Sequence, residues 1–335
     1  MLPDVVSTDW KSLHDTALLG QRVLVTGGAG FIGSHLVNAL LQLGAKVVVL
    51  DNLSAGNRAN LPKHDDLEIV EGNVLELPAI DHAMRGCSTV FHLAARVSVP
   101  QSVTDPKNYH DINGTGTVNV LEVARAVGVK RIIYSASSSA YGDGRELPKV
   151  ETMAERPQSP YAAAKLVGEL YVRAYASCYD VDAISLRYFN IFGPRQNPHS
   201  PYSGVIAAFS KTILAGESPR ITGDGSASRD FTYVDNAVHA NLLAATHPER
   251  LRGEVVNIAV GQRRTILDLA AAMLKEFGRE DLRPVFAQAR PGDVPHSLAS
   301  LEKARSLIGY RPIVSFEDGL AATCAWYRNV LGNAV

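Results

Sequence analysis

Two residues of the chain, Tyr161 and Lys165, have the types and the spacing required for proton transfer. They lie four positions apart in the stretch YAAAK, so on a helix both side chains share one face. A phenol titrates at about 10 in water, and about 4 kcal/mol of phenolate stabilisation would bring its pKa to about 7. A neighbouring ammonium group acts in this direction because it favours the anion. The same spacing also arises by chance in surface pairs, so YAAAK alone leaves both interpretations open.

Hydroxyl groups cluster shortly before this pair. The stretch SASSSAYG, residues 135–142, follows a predicted strand at Lys130–Tyr134. In loops, such hydroxyls usually bond to the backbone of a turn. This loop, however, falls at the carboxyl edge of a predicted parallel sheet, where open α/β folds bind their ligands. We therefore expect at least one of these hydroxyls to face a substrate.

A glycine-rich turn near the N-terminus indicates what the sheet binds. An apolar strand leads into Gly27, Gly30 and Gly33, an amphipathic helix follows, and a second strand at Lys46–Leu50 ends on Asp51. The glycines suit a tight turn, the approach of a pyrophosphate and the packing of helix on strand, with the phosphates at the helix N-terminus. A lone glycine triplet could be a simple turn. Here strand, helix, second strand and acid occur in order, which predicts NAD bound with its ribose hydroxyls on Asp51.

The remaining pattern predicts an α/β fold with a Rossmann-type doubly wound parallel sheet and a smaller C-terminal α/β substrate domain. We expect residues 1–187 to bind NAD and residues 188–335 to bind the substrate, with the segment at about 228–262 partly returning to the first domain. Further strands are predicted at Leu67–Glu71, Thr89–Leu93, Ala183–Tyr188 and Val255–Ala259. Helices are predicted at 10–18, after a cap at residues 7–9, and at 117–127, from 159 or 161 onward, at 205–215, 236–245 and 266–277.

Bulk properties exclude several classes of function. The 335 residues are 46% hydrophobic with a net charge of −1 and scattered basic residues, which predicts no nucleic-acid partner and no anionic membrane surface. The three cysteines are far apart and form no CxxC motif, so we expect free thiols in a reducing compartment and no metal site. The charged N-terminus resembles neither a signal peptide nor a membrane span. The protein is therefore expected to be cytoplasmic.

Six motifs in order resemble the extended short-chain dehydrogenase/reductase family. They are TGGAGFIG, the serine loop ending in Tyr141-Gly142, YAAAK, RYFNIFGPRQ, RDFTYVD and RPGDVPHS. Within that family the chain is similar to the sugar-nucleotide 4-epimerases, most of all to the UDP-N-acetylglucosamine 4-epimerase branch. The resemblance runs from about Trp10 to near the C-terminus.

The resemblance implies an enzyme that keeps NAD bound, oxidises the 4-hydroxyl of a UDP-sugar and returns hydride to the other face. Tyr161 would be the base, and Lys165 would hold the nicotinamide ribose and help to lower the phenol pKa. Ser137 would share the proton and orient the sugar hydroxyl. The implied cofactor-binding residues are Gly27, Gly30, Phe31, Ile32, Gly33, Asp51, Asn52, Asn73, Val74, Leu93, Ala94, Ala95, Tyr161, Lys165 and Tyr188. Asn73 stands where the family often has aspartate, so adenine binding would be modified.

The resemblance also implies a set of contacts with the UDP-sugar. Two shielded phosphates need bidentate positive donors, and the family pattern assigns this task to Arg229 and Arg290, with Asn190 on the diphosphate. The implied substrate-binding residues are Ser98, Ser137, Ser138, Ser139, Tyr161, Asn190, Arg229, Arg290, Asp293 and Ser297. A homodimer is implied as well, because family members pair the helices that match 117–127 and 161–179 across subunits.

Several positions favour one reaction of the family over others. Dehydratases carry an acid pair where this chain has Ser138 and Ser139, and decarboxylases carry glutamate at the second position. Uronate epimerases have threonine at the position of Asn190 and an arginine near that of Asn197. This chain has neither, which favours a neutral hexose. A small residue at Ser297 leaves room for a 2-acetamido group, whereas enzymes restricted to UDP-glucose tend to have tyrosine. The prediction is UDP-N-acetylglucosamine 4-epimerisation, with UDP-glucose and UDP-galactose also accepted.

Two alternatives stay open. One is another NAD-dependent reaction on a nucleotide sugar, namely UDP-glucuronate 4-epimerisation, decarboxylation, dehydration or reduction. Reduction or decarboxylation would appear as net NADH or net loss of substrate. The other is a non-enzymatic NAD sensor. Such a protein would be expected to lack one of Ser137, Tyr161 and Lys165, and all three are present.

Overall fold

A parallel β-sheet forms the centre of the protein, seen in a computed structural model that describes residues 8–198, 204–288 and 295–332. Its inner strands are rich in β-branched residues and are buried over almost their whole length, as expected for strands covered on both faces. The strand at one edge, Leu67–Glu71, is only partly buried. The strands of the chain are β1 Arg22–Thr26, β2 Lys46–Asp51, β3 Leu67–Glu71, β4 Thr89–His92, β5 Arg131–Ser137, β6 Ala183–Tyr188, β7 Ile191–Phe192, β8 Arg220–Thr222, β9 Ser228–Arg229, β10 Thr232–Tyr233, β11 Glu254–Ile258, β12 Arg264–Thr265 and β13 Val285–Ala287.

Helices and short turns connect these strands. The helices are α1 Trp10–His14, α2 Phe31–Gln42, α3 Leu77–Met84, α4 Val99–Thr104, α5 Pro106–His110, α6 Gly116–Val127, α7 Pro160–Tyr179, α8 Val205–Leu214, α9 Val234–Thr246, α10 Ile266–Phe277, α11 Glu302–Ile308 and α12 Phe316–Leu331. Two 3₁₀ turns lie at Arg58–Asn60 and Ser138–Tyr141, and a π-helical turn at Asp111–Thr115 precedes α6. No helix of the described ranges is both long enough and apolar enough to cross a membrane.

The order of the strands in the sheet is β11-β6-β5-β4-β1-β2-β3, with every neighbouring pair parallel. The strand order reverses between β1 and β4, which makes this the topological switch point of a doubly wound sheet. Ligands bind outside the carboxyl ends of the strands at such a point. The predicted α/β fold is confirmed.

Apolar layers cover both faces of the sheet. One core contains α2 and α9, together with Trp10 from the N-terminal helix. The opposite core contains α3, α6 and α7. A third core is built by α8, α10 and α12 within the C-terminal part of the chain. The late strand β11 pairs with β6, so the segment after Arg229 does return to the sheet.

The structure corrects the sequence reading at β5 and at several helices. β5 extends to Ser137 instead of ending at Tyr134, because β4 and β6 flank it and its last residues pair with Leu186, Arg187 and Tyr188. The first serines of the cluster therefore belong to a strand, and only the later ones to a turn. The sequence reading also assigned no helix to the segments that form α3, α4, α5, α11 and α12.

Candidate active site

Ser137 is the last residue of β5 and stands at the carboxyl edge of the sheet. Its hydroxyl oxygen accepts hydrogen bonds from Ser139 N at 3.2 Å and from Ser139 Oγ at 2.8 Å. The first bond starts the 3₁₀ turn that follows the strand. Because both bonds are accepted, the hydroxyl proton of Ser137 remains available for donation.

Tyr161 and Lys165 lie in the first two turns of α7. The helix begins at Pro160, and the Ser159 hydroxyl caps it by accepting from Ala162 N at 3.2 Å. A buried ion pair joins the middle of α7 to the sheet: Arg187 of β6 donates to both carboxylate oxygens of Glu169, at 2.6 and 2.8 Å. These anchors fix the direction in which the helix presents its first residues.

The structure brings the three predicted catalytic residues together. The Tyr161 phenol interacts with the Ser137 hydroxyl. Part of the Tyr161 surface is exposed, yet protein atoms surround the phenol, and this burial raises its pKa while the Ser137 hydroxyl lowers it. Burial also lowers the pKa of Lys165 to about 7, an effect that the Glu169 charge partly opposes. The phenolate that catalysis requires therefore depends on positive charge supplied at the site.

The glycine turn is shaped for close backbone packing and for a pyrophosphate. A Cβ on Gly33 would lie 2.2 Å from the carbonyl oxygen of Gly27, and one on Gly27 would lie 2.7 Å from Ala94 N. These two glycines let α2 and the loop after β4 approach β1. A Cβ on Gly30 would meet only the Gly27 carbonyl oxygen, at 3.1 Å, and α2 begins there with no side-chain cap. The free N-terminus of α2 thus faces open space at Gly30, which fits a bound phosphate group.

Asp51 closes the same site from the end of β2. Its carboxylate accepts from Ala29 N at 2.9 Å and from Leu53 N at 2.8 Å, and only 8% of the residue is exposed. An ionised carboxylate has about four acceptor positions, so these two bonds leave capacity for ribose hydroxyls. A negative charge at this position favours NAD over its phosphorylated analogue.

The other predicted cofactor residues lie at the start of α2 or at or near the ends of the strands β2, β3, β4 and β6. Asn52 and Asn73 use their side-chain oxygens locally, accepting from Ser54 and from Leu75 N. The Tyr188 hydroxyl accepts from Asn241 Nδ2 at 2.6 Å, so its phenol is engaged in the core. The roles of these residues toward NAD stay predictions, as do those of Phe31, Ile32, Val74, Leu93, Ala94 and Ala95.

Two predicted substrate residues from distant parts of the chain touch each other. Asn190 Nδ2 donates to Ser297 Oγ at 3.0 Å and to the carbonyl of Asp230 at 3.3 Å. Asn190 has a φ of +41°, an uncommon backbone conformation for a residue other than glycine. The Asp230 carboxylate is fully buried and accepts from Val260 N, Gly261 N and Ala299 N. It thereby joins the loop after β11 to the segment that carries Ser297.

The remaining predicted substrate residues are placed as follows. Arg229 donates to the carbonyls of Ser228 and Pro295, at 2.9 and 3.1 Å. Ser98 caps α4, where its hydroxyl accepts from Gln101 N. Ser138 and Ser139 form the turn after Ser137. Arg290 and Asp293 lie outside the described residues. The contacts of these side chains with a substrate stay predictions.

A comparison with protein families identifies the family of the chain. The model for the NAD dependent epimerase/dehydratase family matches residues 23–259. The chain belongs to this family. Its cofactor is NAD, and the prediction that the chain is an NAD-using isomerase is confirmed.

Individual epimerase/dehydratase relatives cover almost the whole chain. A UDP-glucose 4-epimerase of Mycolicibacterium smegmatis is 38% identical over 92% of this chain and 99% of its own length. The solved structure of a UDP-N-acetylglucosamine 4-epimerase from Methanobrevibacter ruminantium, in complex with UDP-N-acetylmuramic acid, has a TM-score of 0.89 at 38% identity, covering 93% of this chain and 99% of that chain. A UDP-glucose 4-epimerase from Thermotoga maritima with UDP-glucose has a TM-score of 0.88 at 38% identity, covering 93% and 100%.

Sequence reasoning missed a buried polar network behind the candidate site. The His92 imidazole lies 2.7 Å from Thr26 Oγ1 through Nδ1 and 3.0 Å from Thr117 Oγ1 through Nε2. The Thr117 hydroxyl donates to Asn113 O, and Thr26 Oγ1 accepts from Ala94 N. His92 Nε2 therefore donates and Nδ1 accepts. Burial, together with the Lys165 charge, lowers the pKa of this histidine to about 3, so it stays neutral.

Tyr134 of β5 was missed as well, because it was read as an ordinary strand residue. Its ring lies beneath Lys165 Nζ, with 4.3 Å between the nitrogen and the ring centroid. The only signal in the sequence was the presence of a polar aromatic residue in an otherwise aliphatic strand, and that pattern is typical of many buried strands.

Proposed function

We propose that the protein interconverts UDP-N-acetylglucosamine and UDP-N-acetylgalactosamine by 4-epimerisation through a 4-keto sugar, and that it also accepts UDP-glucose and UDP-galactose. The observation that carries the proposal is the set formed by Ser137, Tyr161 and Lys165 at the carboxyl edge of the sheet. It provides a hydroxyl, a phenol and an ammonium group next to the predicted NAD site.

Each residue of this set has a separate task. Tyr161 accepts the proton of the sugar 4-hydroxyl and returns it after the sugar has presented its other face. Ser137 donates its proton toward the phenolate and the sugar oxygen, since its own acceptor positions are occupied by Ser139. Lys165 favours the phenolate through its charge. NAD, when bound, would accept hydride from C4 of the sugar and return it there. The glycine turn, the N-terminus of α2 and Asp51 would hold the cofactor.

The turn after Ser137 supports epimerisation over elimination or decarboxylation. Residues 138 and 139 are serines, and water elimination requires a further acid and base, normally carboxyl groups, at this place. Ser139 instead directs its hydroxyl to Ser137 at 2.8 Å. This arrangement can assist one proton transfer at Tyr161, which is sufficient for a 4-epimerase.

The acetamido preference rests on Ser297. Its side chain is short, half-buried and bonded to Asn190, the residue that would hold the diphosphate. A serine here leaves a volume that a tyrosine would fill. We assign NAD to residues 1–187 and the UDP-sugar to residues 188–335, with β11 completing the sheet of the first part.

We also propose a homodimer formed through α6 and α7. Apolar side chains on these helices are exposed in the single chain, at 37% for Val127, 45% for Leu170 and 44% for Tyr171. One of these side chains ends α6 and two are neighbours on α7, and large apolar side chains exposed close together favour a surface that another protein covers.

The deciding experiment is a substrate panel followed by proton NMR. The purified protein, with no cofactor added, is incubated separately with UDP-N-acetylglucosamine, UDP-glucose and UDP-glucuronate. We expect the anomeric signal of UDP-N-acetylgalactosamine to appear without net NADH. Conversion of UDP-glucose alone would contradict the argument from Ser297. Release of carbon dioxide from UDP-glucuronate with no epimerised hexose would contradict the argument from the serine turn.

A further inference from the structure

The ammonium group of Lys165 lies over the face of an aromatic ring. Only 4% of Lys165 is exposed, and its Nζ lies 4.3 Å from the centroid of the Tyr134 ring. Across the described ranges no carboxylate comes within ion-pair distance of Lys165. The carboxylate of Glu169, whose charge acts on Lys165, forms its ion pair with Arg187, at 2.6 Å. A cation held over a ring face is attracted by the negative π-surface, most strongly when water is excluded.

The same tyrosine also fixes the backbone of the lysine. Tyr134 Oη donates to the carbonyl oxygen of Lys165 at 3.0 Å. One turn further along α7, a Cβ on Gly168 would lie 2.3 Å from this hydroxyl and 2.7 Å from Tyr134 Cζ. Glycine weakens the interior of a helix relative to alanine, and here it provides the space into which the phenol fits. Tyr134 therefore contacts α7 through its hydroxyl and Lys165 through its ring.

We propose that Tyr134 is a positioning residue for the proposed epimerase reaction: its ring face keeps the Lys165 ammonium charged and directed at the site, while its hydroxyl fixes the turn of α7 that carries the lysine. The inference rests on the proposed function for its kinetic consequence. Its electrostatic part concerns Lys165 alone and can be tested without turnover.

The groups around Lys165 are suited to this role. His92 packs beside Tyr134, with 5.7 Å between the ring centroids, and burial keeps it neutral. Tyr161 and Glu169 face the same region from α7, and Tyr109 faces Tyr161 from α5. Among these neighbours only Glu169 is anionic, and its charge is already shared with Arg187 and Arg173. The Tyr134 ring is thus the direct contact that offsets the burial of the lysine charge.

The test is an NMR titration of Lys165 in the NAD-containing protein, labelled with 13C at lysine Cε. The Lys165 signal is assigned as the one absent from Lys165→Met. We expect Tyr134→Leu to lower the pKa of Lys165 by about one pH unit, and Tyr134→Phe, which keeps the ring, to lower it much less. In Tyr134→Leu the alkaline limb of the pH profile of kcat/KM, measured on the UDP-hexose that the protein converts, should move to lower pH by the same interval, because Lys165 loses its proton at a lower pH.

Tyr310→Leu is the matched control. Like Tyr134, Tyr310 is fully buried, donates to a backbone carbonyl, at 2.9 Å, and lies beside a histidine ring, with 6.1 Å between the ring centroids. Its partners are Ala259 and His239 and do not include Lys165. We expect a comparable loss of thermal stability and no change in the Lys165 titration. An equal shift of the Lys165 pKa in Tyr134→Leu and Tyr310→Leu would show that Tyr134 acts only through the stability of the fold, and it would overturn the proposal.

Fluorinated phenylalanines at position 134 keep the test decisive if Tyr134→Leu does not fold. Successive fluorine atoms withdraw electron density from the ring at nearly constant shape, so the pKa of Lys165 should fall along the series. A flat series would contradict the inference. Failure of the proposed function would appear differently, as absence of UDP-hexose conversion by the unmodified protein while the Lys165 titration still responds to position 134.

Discussion

Tyr161 is a buried phenol that must act as a base, and its burial opposes this task until Lys165 and the oxidised cofactor supply positive charge. Burial raises the pKa of Tyr161, and the hydrogen bond with the Ser137 hydroxyl lowers it. A buried phenol is a poor base at neutral pH, so the cation of Lys165 and the charge of the oxidised cofactor must favour the phenolate. Proton transfer is thereby restricted to the complex in which the cofactor is ready to accept hydride.

Replacing Tyr161 by phenylalanine tests the assignment of the base. Tyr161→Phe should retain bound NAD, because the glycine turn and Asp51 are untouched, yet lose about 10²- to 10⁴-fold in kcat. NAD is quantified in the denatured supernatant and turnover by NMR. Tyr179→Phe, at an exposed tyrosine where the same helix ends, is the control. Turnover near that of the unmodified protein in Tyr161→Phe would exclude the phenol as base.

Replacing Ser137 by alanine tests the group that lowers the phenol pKa. Because Ser137→Ala removes that group, the acid limb of the kcat/KM profile should move to higher pH.

Ser297 tests the choice of sugar. Its hydroxyl accepts from Asn190 Nδ2 at 3.0 Å and from Asp230 N at 3.3 Å. Ser297→Tyr loses these bonds and adds bulk, so kcat/KM for UDP-N-acetylglucosamine should fall at least about tenfold relative to UDP-glucose. Ser297→Ala loses the same bonds without adding bulk and should affect both sugars alike. A proportional loss on both sugars in Ser297→Tyr would show that the residue does not select the acetamido group.

At the scale of elements, the contact between β1 and α2 separates packing from cofactor binding. Gly33→Ala would place Cβ 2.2 Å from the Gly27 carbonyl oxygen and should lower the free energy of unfolding by about 1–3 kcal/mol. Gly30→Ala meets only one atom, at 3.1 Å, and φ there is −73°, so the loss of stability should be smaller. Its methyl group instead occupies the open side of the helix N-terminus, and NAD retention should fall at least about tenfold. Thermal unfolding of NAD-free protein and NAD content measure the two effects. The interpretation of Gly30 fails if Gly30→Ala holds NAD normally.

The sequence predicts those elements whose signals are local. The glycine turn, Asp51 and the apolar strands are recognisable because spacing along the chain sets their geometry. The contact between Asn190 and Ser297 joins residues 107 positions apart, and no local pattern reveals which loops meet. Tyr134 illustrates a second limit. A buried aromatic residue in a strand is predictable, but whether its ring faces an aliphatic side chain or an ammonium group depends on how α7 packs on β5.

For the whole molecule, the proposed dimer makes a prediction about one helix face. Leu170→Arg places a charge among the exposed apolar side chains of α7 and should convert the protein to a monomer of 36.0 kDa in light scattering. Leu19→Arg is the control, because Leu19 is 64% exposed but lies in the segment between α1 and β1. The unmodified protein and this control should both show twice the monomer mass. A monomeric unmodified protein would contradict the dimer without affecting the proposed reaction.

The attachment of the N-terminal helix to the rest of the molecule should depend on pH. His14 of α1 and His239 of α9 are buried and joined by a 2.9 Å hydrogen bond between Nε2 and Nδ1, and burial lowers the pKa of each to about 4. Such a bond requires at least one neutral ring. The unfolded chain, whose histidines titrate at about 6.5, binds more protons than the native state as the pH falls from 6.5 toward 4. The contribution of the pair to stability is therefore complete above about pH 6.5 and is lost as the pH falls from 6.5 toward 4.

The double variant His14→Gln, His239→Gln tests this pH dependence. Between pH 7 and 5 it should lose less free energy of unfolding than the unmodified protein, by on the order of 1 kcal/mol per histidine. His82→Gln, at an exposed position, should follow the unmodified protein. Denaturant unfolding at each pH measures this. Identical pH dependence in all three proteins would mean that the pair takes up its proton without disturbing the contact between α1 and α9.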